Sequence, residues 1–387
     1  MGTASTMACI TAAMGLMPPR GASAAAVSST RLRIAEETGS NAVAAAKAKR
    51  KPQEILTRSS FLNAITVLQA IGGSTNAVVH LMAIINRHPK VAGSISLDTF
   101  DEIGRSTPLL VNLKPSGDNY MTDFHNAGGM LALLHTLRPL LHLDAPTITG
   151  STLGAFLDST PFRPFPFSTA VIRPLTNPLY PASSLVILKG NLAPRGCVLK
   201  ASASKDRRLL THSGPAVVFA NTADLAARID DPDLDVTENS VLVLQNIGPK
   251  GHPGMPEAGV IPIPRKLGQE GIKDMLRLSD GRMSGTAGGT IVLHISPESA
   301  VRGSVFGVVR DGDVISCEVE KRELRLDVAD EEIERRLVEA DEVRARDVVE
   351  GKKKGEPKRG YRVLYDRSVN QAEEGADFDF LTAAGAG

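Results

Sequence analysis

The sequence has only three cysteines and a net charge close to zero, and each scarcity closes off a class of protein. Cys9, Cys197 and Cys317 stand far apart in no paired spacing, which excludes a disulfide framework and an autonomous zinc or iron–sulfur knuckle. Lys and Arg number 44 against 43 Asp and Glu, so no long-range field gathers phosphate backbones or anionic lipid. No nucleic acid and no membrane is expected as a partner. No window reaches the roughly 18 to 20 uninterrupted apolar residues of a bilayer span. A soluble protein of a reducing compartment is expected, with the cytoplasm the first choice. The mitochondrion is the alternative, because the first 35 residues are rich in Ala and Ser and hold Arg20, Arg31 and Arg33 with no acid before Glu36.

What is present is enough chain, 387 residues, for two compact units. From Met1 to about His142 the pattern is helical, with a helix over Val43–Lys49 and another spanning Ser60 to Arg87, capped by Ser59 or Ser60. Gly72-Gly73 interrupts the second at roughly 1 kcal/mol per glycine, which marks a purposeful break. Between Asp158 and Pro181 a stretch dense in proline and aromatic residues, with Pro161 to Phe167 at its centre, reads as a domain connection. Beyond it come short β-branched runs: Leu185–Leu188, Ala216–Phe219, Val241–Leu244, Thr290–Ile295, Val305–Val309 and Val314–Val319. The fold class expected is α/β: a helix-rich α/β unit over 1–167, a β-barrel of the swivelling kind over 168–345, and a tail over 346–387 returning to the first unit. A charged helix near Glu331–Arg346 and a solvated basic run, Lys352 to Lys354, precede the tail.

Four segments hold residues suited to chemistry. Gly72-Gly73-Ser74-Thr75-Asn76 at a helix start presents either an anion site of free N–H groups or a capped start under close packing. Leu113-Lys114-Pro115-Ser116-Gly117, followed by Asp123 and His125, suits polar substrate binding or is a surface turn. Gly248 to Glu257 fixes a loop with three prolines and ends on one carboxylate, a way to aim a hard oxygen ligand at Mg²⁺. Ser279-Asp280-Gly281-Arg282-Met283-Ser284-Gly285-Thr286 exposes a serine that serves as a base if a nearby metal lowers its pKa. Arg282 stands where a Gly-x-Ser-x-Gly elbow has its first glycine, so the turn is not that motif.

In this order, and with Met1-Gly2-Thr3-Ala4-Ser5-Thr6-Met7 and Gly190-Asn191-Leu192-Ala193-Pro194, the segments resemble the superfamily of dihydroxy-acid, phosphogluconate and sugar-acid (aldonate) dehydratases. The resemblance runs essentially end to end. It implies loss of water from a 2,3-dihydroxy acid to give a 2-keto-3-deoxy acid, with a two-iron iron–sulfur cluster as Lewis acid, Mg²⁺ on the carboxylate and 2-hydroxyl, and a serine alkoxide as base. Carried over by motif, Glu257 is a Mg²⁺ ligand, Ser284 the base, and Gly73, Ser74, Thr75, Asn76, Lys114, Ser116 and Arg282 substrate-binding. The run Met255 to Pro264, Met283, and the tail Gln371 to Leu381 resemble the aldonate branch, so a pentonate or hexonate is the expected substrate. A branched-chain dihydroxy acid is the alternative.

The sequence departs from the family's pattern at the metals. The family's three cluster cysteines and the Asp-Lys pair of its Mg²⁺ site have no counterpart here, and Cys9, Cys197 and Cys317 fall at none of those positions. Met1 is accordingly expected to be an internal methionine of a longer protein, and the chain alone to hold no cluster and to lack dehydratase activity. A homo-oligomer is implied by the resemblance, and a non-catalytic assembly subunit is the other class of expectation.

Overall fold

The computed structural model describes residues 1–284, 288–350 and 359–384, so Gly285, Thr286 and the Lys352–Lys354 run lie outside the described residues. The chain divides into two units: Met1–Ala77 with Ile84–Leu185, and Val78–Ala83 with Val186–Gly387. The division falls at Leu185 rather than at the Pro- and Phe-rich stretch, because backbone bridges Leu109–Tyr180 and Val111–Ile172 keep the chain with the first unit well past Phe167. Part of that stretch is itself helical, over Pro166–Val171.

The first unit is helix-rich, and its extended pieces are confined to isolated bridges. At its centre the Arg58–Ala70 helix is buried on every side from Ser60 to Ala70, as expected of a helix that is apolar all round. Its polar members are satisfied internally. Asn63 exchanges hydrogen bonds with the His142 backbone at 3.0 and 2.7 Å, and Gln69 donates to Phe100 O and Leu185 O while accepting from Ser184 Oγ and Leu185 N. The N-cap is Thr57, not Ser59 or Ser60: Thr57 Oγ1 accepts from Ser60 N at 3.3 Å, while Ser60 Oγ is turned back to Ile55 O. The helix over Val43–Lys49 is the end of a longer one, Ser29–Lys47, capped by Ser28. Gly72 and Gly73 do break the long pattern, and a second helix starts at Asn76 and runs to Arg87.

The second unit is an eight-stranded sheet in the order β1-β2-β6-β5-β4-β3-β7-β8, namely β1 Val186–Leu188, β2 Gly196–Leu199, β3 Thr211–Phe219, β4 Val241–Leu244, β5 Arg277–Ser279, β6 Ile291–Ser296, β7 Val314–Glu318 and β8 Glu323–Leu326. A parallel bridge between Lys189 and Glu323 joins the two outer strands, so the sheet curls into a nearly closed barrel. Strand β3 turns the corner: residues 211–215 pair antiparallel with β7, residues 216–219 parallel with β4. Inward side chains such as Leu188, Leu199, Val243, Leu278, Val292 and Leu324 fill the interior. Outward Phe219, Leu242 and Leu244 are covered by Leu225, Ile247, Ile261 and Leu267. Central strand β4 is therefore buried along its whole length, which explains its unbroken Val-Leu-Val-Leu run. Val305–Val309 is not a strand. Its centre, Phe306–Val308, is a 3₁₀ turn that drops Phe306 into the barrel core.

The charged helix spans Asp330–Glu350. The tail is packed by Gly375 onto the backbone of Ala83, where a Cβ would meet Ala83 N at 2.5 Å. That turn of helix, 78–83, is counted with the second unit.

One buried ion pair fixes where β5 and β6 begin. Arg277 donates to Asp274 at 2.8 Å, their side chains 8 and 0% exposed, and Asp274 also accepts from Thr290 N, Thr290 Oγ1 and Lys205 N. Burial pulls the Arg277 guanidinium down and Asp274 pulls it back. Asp274→Ala leaves that cation uncompensated, so a loss of about 3–5 kcal/mol is expected in denaturant unfolding. A loss under about 1 kcal/mol would contradict this role.

Candidate functional site

Strands β4 and β5 are parallel neighbours in register Leu242–Arg277, Val243–Leu278 and Leu244–Ser279, so the loops that follow them leave the same edge of the sheet. Crevices outside the carboxyl ends of parallel strands are where such sheets bind ligands. The loop after β4 carries Glu257, and the turn after β5 carries Arg282 and Ser284.

Each loop is held by buried carboxylates. Asp280 accepts from Ile247 N at 3.0 Å and from Ser299 N at 2.8 Å; burial raises its pKa and these hydrogen bonds hold it down. Glu298, 1% exposed, accepts from Lys250 N, Gly251 N and Gln371 Nε2, with burial again the first cause of a raised pKa. Tyr365 OH accepts from Gly254 N and donates to Pro249 O. Gly248 and Gly281 admit no side chain: a Cβ would meet Glu298 Oε2 at 2.6 Å in the first and Ile247 Cγ2 at 2.5 Å in the second.

The two loops are then joined through one residue. Arg282 donates from Nε to Met255 O, and its own carbonyl accepts from Gly259 N at 2.8 Å. Glu257 thus lies between two points of attachment to Arg282, and Ser284 follows two residues on. Glu257 is exposed, and Arg282 and Ser284 are half-buried. His80 belongs to the same neighbourhood: burial lowers its pKa, the Arg282 charge lowers it further, and Glu257 raises it. His294 is fully buried, and burial first, then Arg282 and His80, push it down to about 3.

The other candidate residues lie in the first unit. Gly73, Ser74, Thr75 and Asn76 are buried, and Ser74 and Asn76 turn polar groups to the Thr3–Ala13 helix: Thr3 Oγ1 meets Ser74 Oγ at 3.0 Å, Asn76 Nδ2 donates to Thr3 Oγ1, and Ser74 N to Thr6 Oγ1. A Cβ at Gly73 would strike Leu68 and Thr6 within 2.7 Å. Close packing accounts for the glycine. Lys114 lies 4.2 Å over the Tyr120 ring and donates to its hydroxyl, while Lys114 O accepts from the Met1 nitrogen. The N-terminal residues therefore tie the Gly73–Asn76 segment to the Lys114–Ser116 turn.

Sequence reasoning missed His80 and His294. His80 falls four residues after Asn76, one turn along the same helix, which was an available signal; His294 had none, standing inside an apolar strand. An open groove of the second unit, about 660 Å³ and lined by Lys205, Arg208, His212 and Lys273 among others, includes none of Glu257, Arg282 or Ser284.

With this geometry, comparison decides the family. Models described as dihydroxy-acid/6-phosphogluconate dehydratase N-terminal and C-terminal match residues 1–156 and 170–376. The chain belongs to the dihydroxy-acid/6-phosphogluconate dehydratase family. Among similar curated proteins, L-arabinonate dehydratase of Rhizobium leguminosarum is 44% identical over 95% of this chain and 61% of its own length. The 6-deoxy-6-sulfo-D-gluconate dehydratase of Pseudomonas putida is 43% identical over 99% and 63%. Dihydroxy-acid dehydratase 1 of Methanosarcina acetivorans is 38% identical over 98% and 65%. This dehydratase-family chain thus spans less than two thirds of the length of these relatives. No described helix is long and apolar enough to cross a membrane.

The buried His294 ring makes stability depend on pH. From the ordinary value of 6.5 down to about 3, the unfolded chain takes up a proton there that the folded chain refuses. Its contribution is intact above pH 6.5 and is lost as pH falls, by up to about 1.4 kcal/mol per unit. Between pH 7 and 5 wild type is expected to lose roughly 2 kcal/mol more than His294→Asn in urea unfolding. Equal losses would mean that the folded ring is protonated.

Proposed function

We propose that this chain carries the carboxylate-and-serine part of a hydro-lyase that converts a 2,3-dihydroxy sugar acid, a pentonate or hexonate, to the 2-keto-3-deoxy acid. The observation that supports it most is the double attachment of the Glu257 loop to Arg282, two residues before Ser284. Identity favours a sugar acid: relatives named for aldonates are 43 to 45% identical, those named dihydroxy-acid dehydratases 36 to 38%. In this reading Ser284 Oγ, as the alkoxide, takes the C2 proton, and the C3–O bond breaks with its electron pair as the C2–C3 double bond forms. The proton passes from Ser284 to the departing hydroxide to give water, and the enol proton moves from the 2-hydroxyl to C3 to leave the 2-ketone. Arg282 supplies positive charge at the carboxylate end. Gly73, Ser74, Thr75, Asn76, Lys114 and Ser116 enter as substrate lining through motif match alone, as does a homo-oligomer.

The family's metals were tested against the donors present. A cluster needs thiolates, yet Cys9, Cys197 and Cys317 are buried in the two cores, and burial pushes the Cys9 and Cys317 thiols up to about 12. They do not fit, and no step is derived through a cluster. Mg²⁺ prefers six oxygens in octahedral array. Glu257 offers one carboxylate, and among the described residues no group of three His, Cys, Asp or Glu side chains is placed to hold a metal ion. Glu257 fits as one carboxylate ligand of Mg²⁺, whose remaining positions waters and substrate oxygens would fill.

Two measurements test the reading. Anaerobic reconstitution with iron and sulfide is expected to leave the chain without a stoichiometric cluster by iron assay and absorbance; a stoichiometric cluster would contradict the donor argument. A chimera in which residues 248–284 replace the matching segment of the L-arabinonate dehydratase is expected to turn over L-arabinonate. In it Ser284→Ala should lower kcat by about 10³-fold or more with KM little changed. A Ser284→Ala chimera that keeps its kcat sinks the assignment.

A further inference from the structure

His294 is held in a way that its packing does not require. Strand β6 bulges against β2: Gly196 pairs with Ser296 and Val198 with Leu293, so β6 carries one extra residue across that interval. Bulges re-aim side chains and recur beside active sites. Here the backbone of His294 takes φ +57°, a left-handed conformation costly for a residue with a side chain, and its N–H donates to Gly281 O at 3.0 Å in the turn that leads to Ser284. The ring is 3% exposed, and among the described residues neither Nδ1 nor Nε2 has a hydrogen-bond partner.

Two desolvated ring nitrogens without partners are a standing cost, and an apolar side chain would fill the same volume without it. The cost is explained where a ligand completes the bonds. The surroundings say which ligand. The charges of Arg282 and His80 reach the ring, and His80 in turn feels Glu257. Burial keeps the imidazole neutral, so it presents one donor and one acceptor. That pair suits an alcohol, which both gives and takes a hydrogen bond; a carboxylate only accepts.

We propose that His294 is a substrate-contacting residue of this site, its neutral imidazole exchanging hydrogen bonds with the hydroxyl groups of a bound 2,3-dihydroxy acid. The inference rests on the dehydratase reading and adds a contact that its motifs do not name.

The test uses the whole chain with L-arabinonate as the probe, with Mg²⁺ present. In protein labelled with ¹⁵N-histidine, the ring signals absent from His294→Asn are expected to shift when L-arabinonate is added. By calorimetry His294→Phe should bind at least about 10-fold more weakly, the worth of one or two hydrogen bonds, while His294→Asn, which keeps a donor and an acceptor and tolerates the left-handed backbone, stays within about 3-fold. Ring signals that do not move while wild type binds, or a folded His294→Phe of unchanged affinity, overturn this inference and leave the dehydratase reading standing. Failure of wild type to bind L-arabinonate overturns both. Should His294→Phe not fold, the ring signals of wild type decide.

Discussion

Everything at the candidate site depends on Arg282 holding two loops as one. Neither loop has enough regular structure to place a side chain: the first is proline and glycine from Gly248 to Glu257, the second leaves β5 through Asp280 and Gly281. What places them is pairing. The Arg282 side chain caps Met255 O and its carbonyl receives Gly259 N, so the carboxylate between those points and the hydroxyl after them share one backbone framework. An arginine suits this because its planar fork stays charged when half-buried and several donors remain after Nε is used.

Beneath this junction lies a layer of buried acids whose work is to hold backbone. Asp280, Glu298 and Asp274 each accept several N–H or O–H groups, and in the first two burial raises the pKa while those donors hold it down. Acids spent in this way rigidify the loops, one of which carries the exposed Glu257. The barrel supplies the remaining constraint. Parallel β4 and β5, buried on both faces, deliver both loops to the same edge.

Much of this was legible before any coordinates. The unbroken run Val241–Leu244 identified a central strand, and Gly72-Gly73 a helix break, because burial and backbone freedom leave marks in composition. The turns that carry Glu257 and Ser284 were legible because irregular, rigid backbone is written in glycine and proline. Strands β2, β5 and β8 were not, since Gly196–Leu199, Arg277–Ser279 and Glu323–Leu326 hold only one β-branched residue, Val198, among them. Val305–Val309 misled because a β-branched run states a preference, and Phe306 had a better use in the barrel core. His294 was invisible for a further reason. What sets it apart is a bulge, and pairing register is a property of the assembled sheet.

The central claim, that Arg282 joins the carboxylate loop to the serine turn, is tested most directly by hydrogen–deuterium exchange on wild type and Arg282→Met. The account predicts that amides over 255–259, Gly259 above all, lose protection in the variant by about 10-fold or more while β4 and β6 keep theirs. Unchanged protection at Gly259 in a variant whose strands remain protected would contradict it.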